Sequence, residues 1–136
     1  MAESDVVKGM VTHQGGCHCG RVRFEVDAPS DIAADECNCS ICKKSGYLHV
    51  LVAADAFRLL KGEQDLEMYS FNTGIAKHYF CRHCGIKSFY VPRSHPDGIS
   101  VNANCLDDDR ISSIVITPFD GRHWEKNVKD LSLIGD

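Results

Sequence analysis

The sequence predicts a mostly β domain, barrel-like or built of folded sheets, whose framework is metal rather than disulfide. Three observations carry this. Short alternating or apolar runs recur along the chain, separated by turn residues. Seven of the eight cysteines fall in three clusters, near residues 17, 40 and 82, leaving Cys105 apart. The 136 residues, 43% of them hydrophobic and 25% charged, suit one core and leave little room for a second.

Taken in order, MAESDVVKGM is short and acidic without an apolar stretch, so it does not read as a signal peptide. Residues 1–12 read as an N-terminal extension, and 13–136 as a single zinc-binding domain. RVRFEV alternates, with Val22, Phe24 and Val26 on one side, and predicts a half-buried strand. LHVLVA predicts a continuous apolar strand. DAFRLLKG predicts a single helical turn, capped by Asp55 and stopped by Gly62. LEMYSF and AKHYF, parted by NTG, predict a hairpin. SFYV ends at Pro92, and PRSHPDG is a loop fixed by Pro92, Pro96 and Gly98. ISVNA and SSIVIT predict further strands, and the tail from Arg122 to Leu133 has room for one short helix.

The formal charge of −4, with no Lys/Arg run longer than Lys43-Lys44, supplies no electrostatic footprint for nucleic acid. The longest apolar run is far short of the roughly 20 residues of a membrane helix. A soluble, cytoplasmic protein is expected, and there thiols stay reduced. Metal binding is therefore favoured over a disulfide framework.

CRHCG, residues 81–85, is Cys-x2-Cys followed by glycine, a half-site whose tight turn suits the positive φ that glycine tolerates. GGCHCG, residues 15–20, is its natural partner, with glycines that let the backbone bend so that two sulfurs converge. Together Cys17, Cys19, Cys81 and Cys84 make a closed site of four thiolates, expected to be structural. CNCSIC then offers Cys37, Cys39 and Cys42 from one loop. Three protein ligands with a vacant position is the pattern of a catalytic zinc. The vacancy suits water or a substrate thiol, held as thiolate. The competing expectation makes Cys105 the fourth ligand, which would close the site and turn it into a staple.

The order Cys-x-Cys, CNCSIC with KKSG, FNT, HYFCRHCG, SFYVPRSHPDG and CLD resembles the glutathione-dependent formaldehyde-activating enzyme family. FRLLKG, AKHYFCRHCG and FDGRHWE resemble more closely its branch containing the globular domain of centromere protein V. The likeness runs from about Gly16 to beyond Trp124. It implies a β-tent fold with two zinc ions per chain. It also implies a carbon–sulfur lyase activity that forms or cleaves S-hydroxymethylglutathione, from glutathione or another small thiol and a small aldehyde. By motif match Cys17, Cys19, Cys81 and Cys84 hold the structural zinc, and Cys37, Cys39 and Cys42 the functional one. A non-catalytic, zinc-stabilised binding module is the alternative.

His49 and His78 are the candidate proton donors, because histidine titrates near working pH. His49 is also read as a hydrogen-bonded core residue, and His78 as a donor to a thiolate. His18 and His83, inside the Cys pairs, are expected on the surface, and His95 on the proline-rich loop. Arg93 is a candidate for a glutathione carboxylate. Tyr47, Tyr90 and Trp124 read as core, and Lys43, Lys44, Lys77, Lys87 and Arg82 mostly as solvated charge near the clusters.

Overall fold

The computed structural model describes residues 10–71 and 74–123, apart from the Arg122 side chain. Ten strands and one helix follow in order: β1 (Met10–Gly16), β2 (Arg23–Pro29), β3 (Asp31–Cys37), α1 (Ser40–Ser45), β4 (Leu48–Ala53), β5 (Phe57–Lys61), β6 (Leu66–Tyr69), β7 (Lys77–Cys81), β8 (Phe89–Val91), β9 (Gly98–Asn102) and β10 (Ser113–Phe119). They form a three-stranded sheet, β1-β2-β5, and a seven-stranded sheet, β10-β3-β4-β9-β8-β7-β6. Every pairing is antiparallel except β10 with β3, which is parallel.

The mostly β architecture follows from the periodicity. Phe24, Val26 and Ala28 alternate inward along β2 and meet Ile32, Ala34, Val50, Val52 and Val101 of the larger sheet in one apolar core. A second, smaller core gathers Val22 and Phe89 with Cys17 and Cys81, so the first thiol cluster is continuous with apolar packing. Phe57, Leu59 and Ile99 pack against both.

The expected helical turn at DAFRLLKG is only part of the story. A single 3-10 turn, Ala54–Ala56, leads into β5, and Asp55 makes no side-chain cap. Period two wins because Phe57 and Leu59 stand opposite Val26 and Phe24 of β2. Phe57 sits 5.4 Å from the Phe24 ring and 4.7 Å from Phe89, while Arg58 points outward to Glu25 and Asp27. The LEMYSF/AKHYF hairpin is present as β6 and β7. Of the expected tail helix, only a turn at Gly121–His123 is seen, and the remainder, with Trp124, lies outside the described residues. No described helix is long and apolar enough to cross a membrane.

Candidate metal centres and active site

The first cluster joins two turns. Cys17 and Cys19 follow β1, Cys81 ends β7, and Cys84 lies in the turn beyond it. Their four sulfurs all lie within 4.8 Å of one another. Cys19 Sγ is 3.6 Å from Cys17 Sγ and 3.7 Å from Cys81 Sγ. Backbone N–H groups aim at the sulfurs: Val22 donates to Cys17 Sγ at 3.3 Å and His83 to Cys81 Sγ at 3.4 Å. Gly85 has φ +77 and returns its N–H to the Cys81 carbonyl at 2.8 Å, the tight turn expected of Cys-x2-Cys-Gly. Gly15 and Gly16 work differently from the expected bend. They sit in the regular β1–β2 ladder, and a Cβ on either would overlap the carbonyl of Cys105 or of Val22. Their need is close approach. His18 and His83 are exposed, as expected of side chains between paired ligands, and His83 bonds Asp65 at 2.8 Å.

The second cluster is built from more than a loop. Cys37 ends β3, Cys39 caps α1 and Cys42 lies inside that helix. Gly46, at φ +64, stops α1 and turns the chain into β4, which brings His49 back over Cys42. His49 Nε2 lies 3.1 Å from Cys42 Sγ. The Tyr90 and Ser100 hydroxyls lie 3.0 and 3.1 Å from His49 Nδ1, and the tautomer in which Nδ1 accepts puts the ring N–H on the side facing the sulfur. Burial, with the Lys87 charge adding to it, pushes His49 down to about 3, so it is a neutral donor.

The three thiols cannot ionise independently. Contacts from Cys37 and Cys42 hold Cys39 low, as the thiolate, while contacts from Cys37 and Cys39, together with burial, push Cys42 up. Crowded soft donors that cannot all carry charge alone are what a divalent cation would satisfy, so this donor set fits zinc. Cys37, Cys42 and His49 form a group whose ligand atoms all lie within 4.8 Å, and Cys39, expected as the third ligand, is not part of it. Cys105 belongs to neither group among the described residues, and its Sγ donates to the Lys87 carbonyl at 3.9 Å.

An open pocket of about 670 Å³ meets this cluster, with Cys37 and Cys42 in its wall beside Lys43, Tyr47, Asn104 and Phe119. Tyr47 is both core and wall: its hydroxyl donates to the Ser100 carbonyl at 2.6 Å. Tyr90 is buried, as expected of core. His78 does not reach a thiolate among its contacts. It stacks on Tyr90 at 4.7 Å and accepts from Lys87 Nζ at 2.6 Å. His95 lies on the proline-rich loop beside Ser94, and half-buried Arg93 lies next to them. Lys87 is the residue that the sequence left among solvated charges. It is half-buried, with Nζ 4.1 Å over the Tyr90 ring and 4.7 Å over Tyr47.

The fold and site define a mostly β domain with two clusters of side chains able to hold a metal ion, one continuous with the core and one opening on a pocket. The profile of the glutathione-dependent formaldehyde-activating enzyme family matches residues 12–119, and the chain belongs to that family. A Halomonas elongata protein provisionally named a glutathione-dependent formaldehyde-activating enzyme is 29% identical over 104 residues, which cover 71% of this chain and 66% of that protein. The crystal structure of a Rhodobacter sphaeroides protein matches with a TM-score of 0.66 at 33% identity, covering 76% of this chain and 99% of the other. These likenesses identify the family and do not single out its centromere protein V branch.

Proposed function

We propose that residues 13–136 form one zinc-binding domain that forms or cleaves the adduct of a small thiol with a small aldehyde. Glutathione and formaldehyde are the first candidates, and the protein acts as a carbon–sulfur lyase of the cytoplasm. Cys17, Cys19, Cys81 and Cys84 hold one zinc as a staple, and Cys37, Cys39 and Cys42 hold a second. The observation that carries the reading is the difference between the clusters: four sulfurs gather within 4.8 Å of one another at the first, whereas at the second Cys37 and Cys42 gather with His49, Cys39 touches both thiols, and the cluster meets an open pocket. Zinc bound at the second cluster would supply a soft Lewis acid that keeps a guest thiol deprotonated at neutral pH.

The chain's own residues do the rest. Cys42 is fixed by the His49 N–H, which takes up part of the negative charge on its sulfur. Tyr90 and Ser100 hold His49 in that tautomer. His49 thus serves the reaction through Cys42 as a positioning residue. The pocket wall of Tyr47 and Phe119 sets a guest sulfur against an aldehyde carbon and excludes part of the water. Carbon–sulfur bond formation moves the carbonyl electron pair to oxygen, where it takes a proton, and cleavage is the reverse.

Exchange spectroscopy by NMR on a mixture of glutathione and formaldehyde is expected to show faster hemithioacetal exchange with zinc-loaded protein than without. No acceleration at any thiol concentration would remove the enzyme reading.

A second reading has its own observation. The shared 4.8 Å group of Cys37, Cys42 and His49 suits a site that His49 closes, as in a non-catalytic, zinc-stabilised binding module. His49→Ala separates the two. On the catalytic reading the variant keeps two zinc ions per chain by elemental analysis and loses on the order of tenfold or more in exchange rate. Loss of one zinc would make His49 a ligand and favour the module.

A further inference from the structure

The residue at the second cluster that the reading above leaves without a task is Lys87. Burying an ammonium is costly unless a carboxylate meets it. None pairs with Lys87 among the described residues, whose ion pairs all involve other groups. Its Nζ instead donates to His78 Nδ1 at 2.6 Å and lies over the faces of Tyr90 and Tyr47. Tyr47 in turn lines the pocket with Cys37 and Cys42, and its ring sits 4.6 Å from that of His49. His78 is 4% exposed, and with Nδ1 accepting from Lys87 its proton lies on Nε2, a buried atom without a partner. So the pair combines an ammonium with no carboxylate partner among the described residues, facing only the charge of the cluster thiols, with a ring N–H lacking an acceptor. A guest oxygen reaching Nζ past the Tyr47 ring would supply the ammonium with the acceptor it lacks.

Resting on the thiol–aldehyde reading, we propose that Lys87 is a catalytic residue of this site: its ammonium binds the aldehyde oxygen and protonates it as the carbon–sulfur bond forms. The sulfur lone pair makes the new bond to carbon, the carbonyl π pair moves to oxygen, and one ammonium proton passes to that oxygen. The neutral amine then regains a proton from the medium, balancing the one the thiol released on becoming a thiolate. In the cleavage direction the amine takes the hydroxyl proton and the thiolate leaves. His78 is the positioning residue that holds Nζ, and its stacking between Tyr90 and Phe71, at 4.7 and 5.6 Å, fixes the ring. Burial brings Lys87 down to about 8, against the upward pull of negative charge at Cys42, Cys39 and Cys37. That places the amine where it can give and retake a proton near neutral pH.

Two measurements on the zinc-loaded full chain test this. In exchange kinetics, Lys87→Met is expected to lose about 100-fold in kcat, the scale of general acid catalysis, with the KM for glutathione within about twofold. Its zinc content should stay at the wild-type value. Lys87→Arg keeps the charge without an easily released proton and should fail comparably. Full activity in either variant overturns the proposal. The second measurement needs no turnover. Formaldehyde with cyanoborohydride methylates an amine that meets the aldehyde, and peptide mapping locates the label. Lys87 is expected to be labelled ahead of the other lysines. Label on the exposed lysines with Lys87 last overturns the assignment. If the wild type speeds no exchange yet Lys87 is labelled first, the lyase reading falls while the aldehyde contact stands.

Discussion

Cys81→Ser is expected to yield a chain without a cooperative thermal transition, whereas Cys39→Ser yields a folded one carrying a single zinc. Cys81 is fully buried at the end of β7 and packs in the same core as Val22 and Phe89. Its sulfur belongs to the group that ties the β1–β2 turn, at Cys17 and Cys19, to the turn after β7. These segments are about sixty residues apart in the chain and in different sheets. Binding of a structural zinc contributes on the order of 10 kcal/mol of folding free energy in small domains, as much as a whole domain of this size retains. Losing one thiolate forfeits a large part of that and buries a hydroxyl among apolar groups. Cys39 is different. It is half-buried at the start of α1, with a pocket beside the cluster and no place in either apolar core. Its loss should leave the sheets intact and lower the metal count from two to one. Circular dichroism melts with elemental zinc analysis check both. A Cys81→Ser chain that melts within a few degrees of wild type would show that the first cluster is not the staple.

Much of this was legible in the chain because the strong signals are local. The alternation in RVRFEV places Phe24 and Val26 in the core, and Cys-x2-Cys-Gly encodes its own turn through Gly85. The gathering of Cys17, Cys19, Cys81 and Cys84 was readable by spacing, since metal ligands must reach one point from a few backbone positions, whereas at the second cluster spacing did not show that His49 joins Cys37 and Cys42. What escaped depends on partners remote in sequence. FRLLK becomes β5 because β2 offers Phe24 and Val26 opposite its apolar residues, a fact absent from the segment itself. The parallel pairing of β10 with β3 joins segments more than eighty residues apart, and no local signal announces it. Lys87 lies in irregular chain between the Cys84 turn and β8, so no alternation assigns it a face. Its burial is set by Tyr47 and His78, drawn from two other stretches, together with nearby Tyr90. The reading of His49 as a hydrogen-bonded core residue agrees with its burial. Its position in an apolar strand gave burial correctly, but only the fold shows that its Nε2 lies 3.1 Å from Cys42 Sγ.

Gly121→Ala is expected to empty the second cluster of metal while leaving the first loaded. The parallel register sets Phe119 beside Cys37, and Asn38 N–H donates to the Phe119 carbonyl at 3.2 Å. That directs the chain leaving β10 over the thiols. Asn38 Nδ2 also donates to Asp120 Oδ1 at 3.1 Å, and His123 Nδ1 to Asp120 Oδ2 at 2.7 Å, so the turn is tied down on both sides. Gly121 then lies so close that a Cβ would overlap Cys37 Sγ and stand 3.2 Å from Cys39 Cβ. The methyl group has no flexible side chain to displace, because its neighbours are the ligands themselves. Either Cys37 swings out of the cluster or the turn lifts from Asn38. Overpacking of this kind costs about 1–3 kcal/mol, which the fold tolerates and a cluster of three thiols does not. The melting transition should therefore survive, with one zinc per chain, exchange activity lost and Cys37 newly reactive toward a thiol reagent. A Gly121→Ala protein with two zinc ions and wild-type exchange would mean that the turn moves away freely. The hold of β10 over Cys37 would then be incidental to the site.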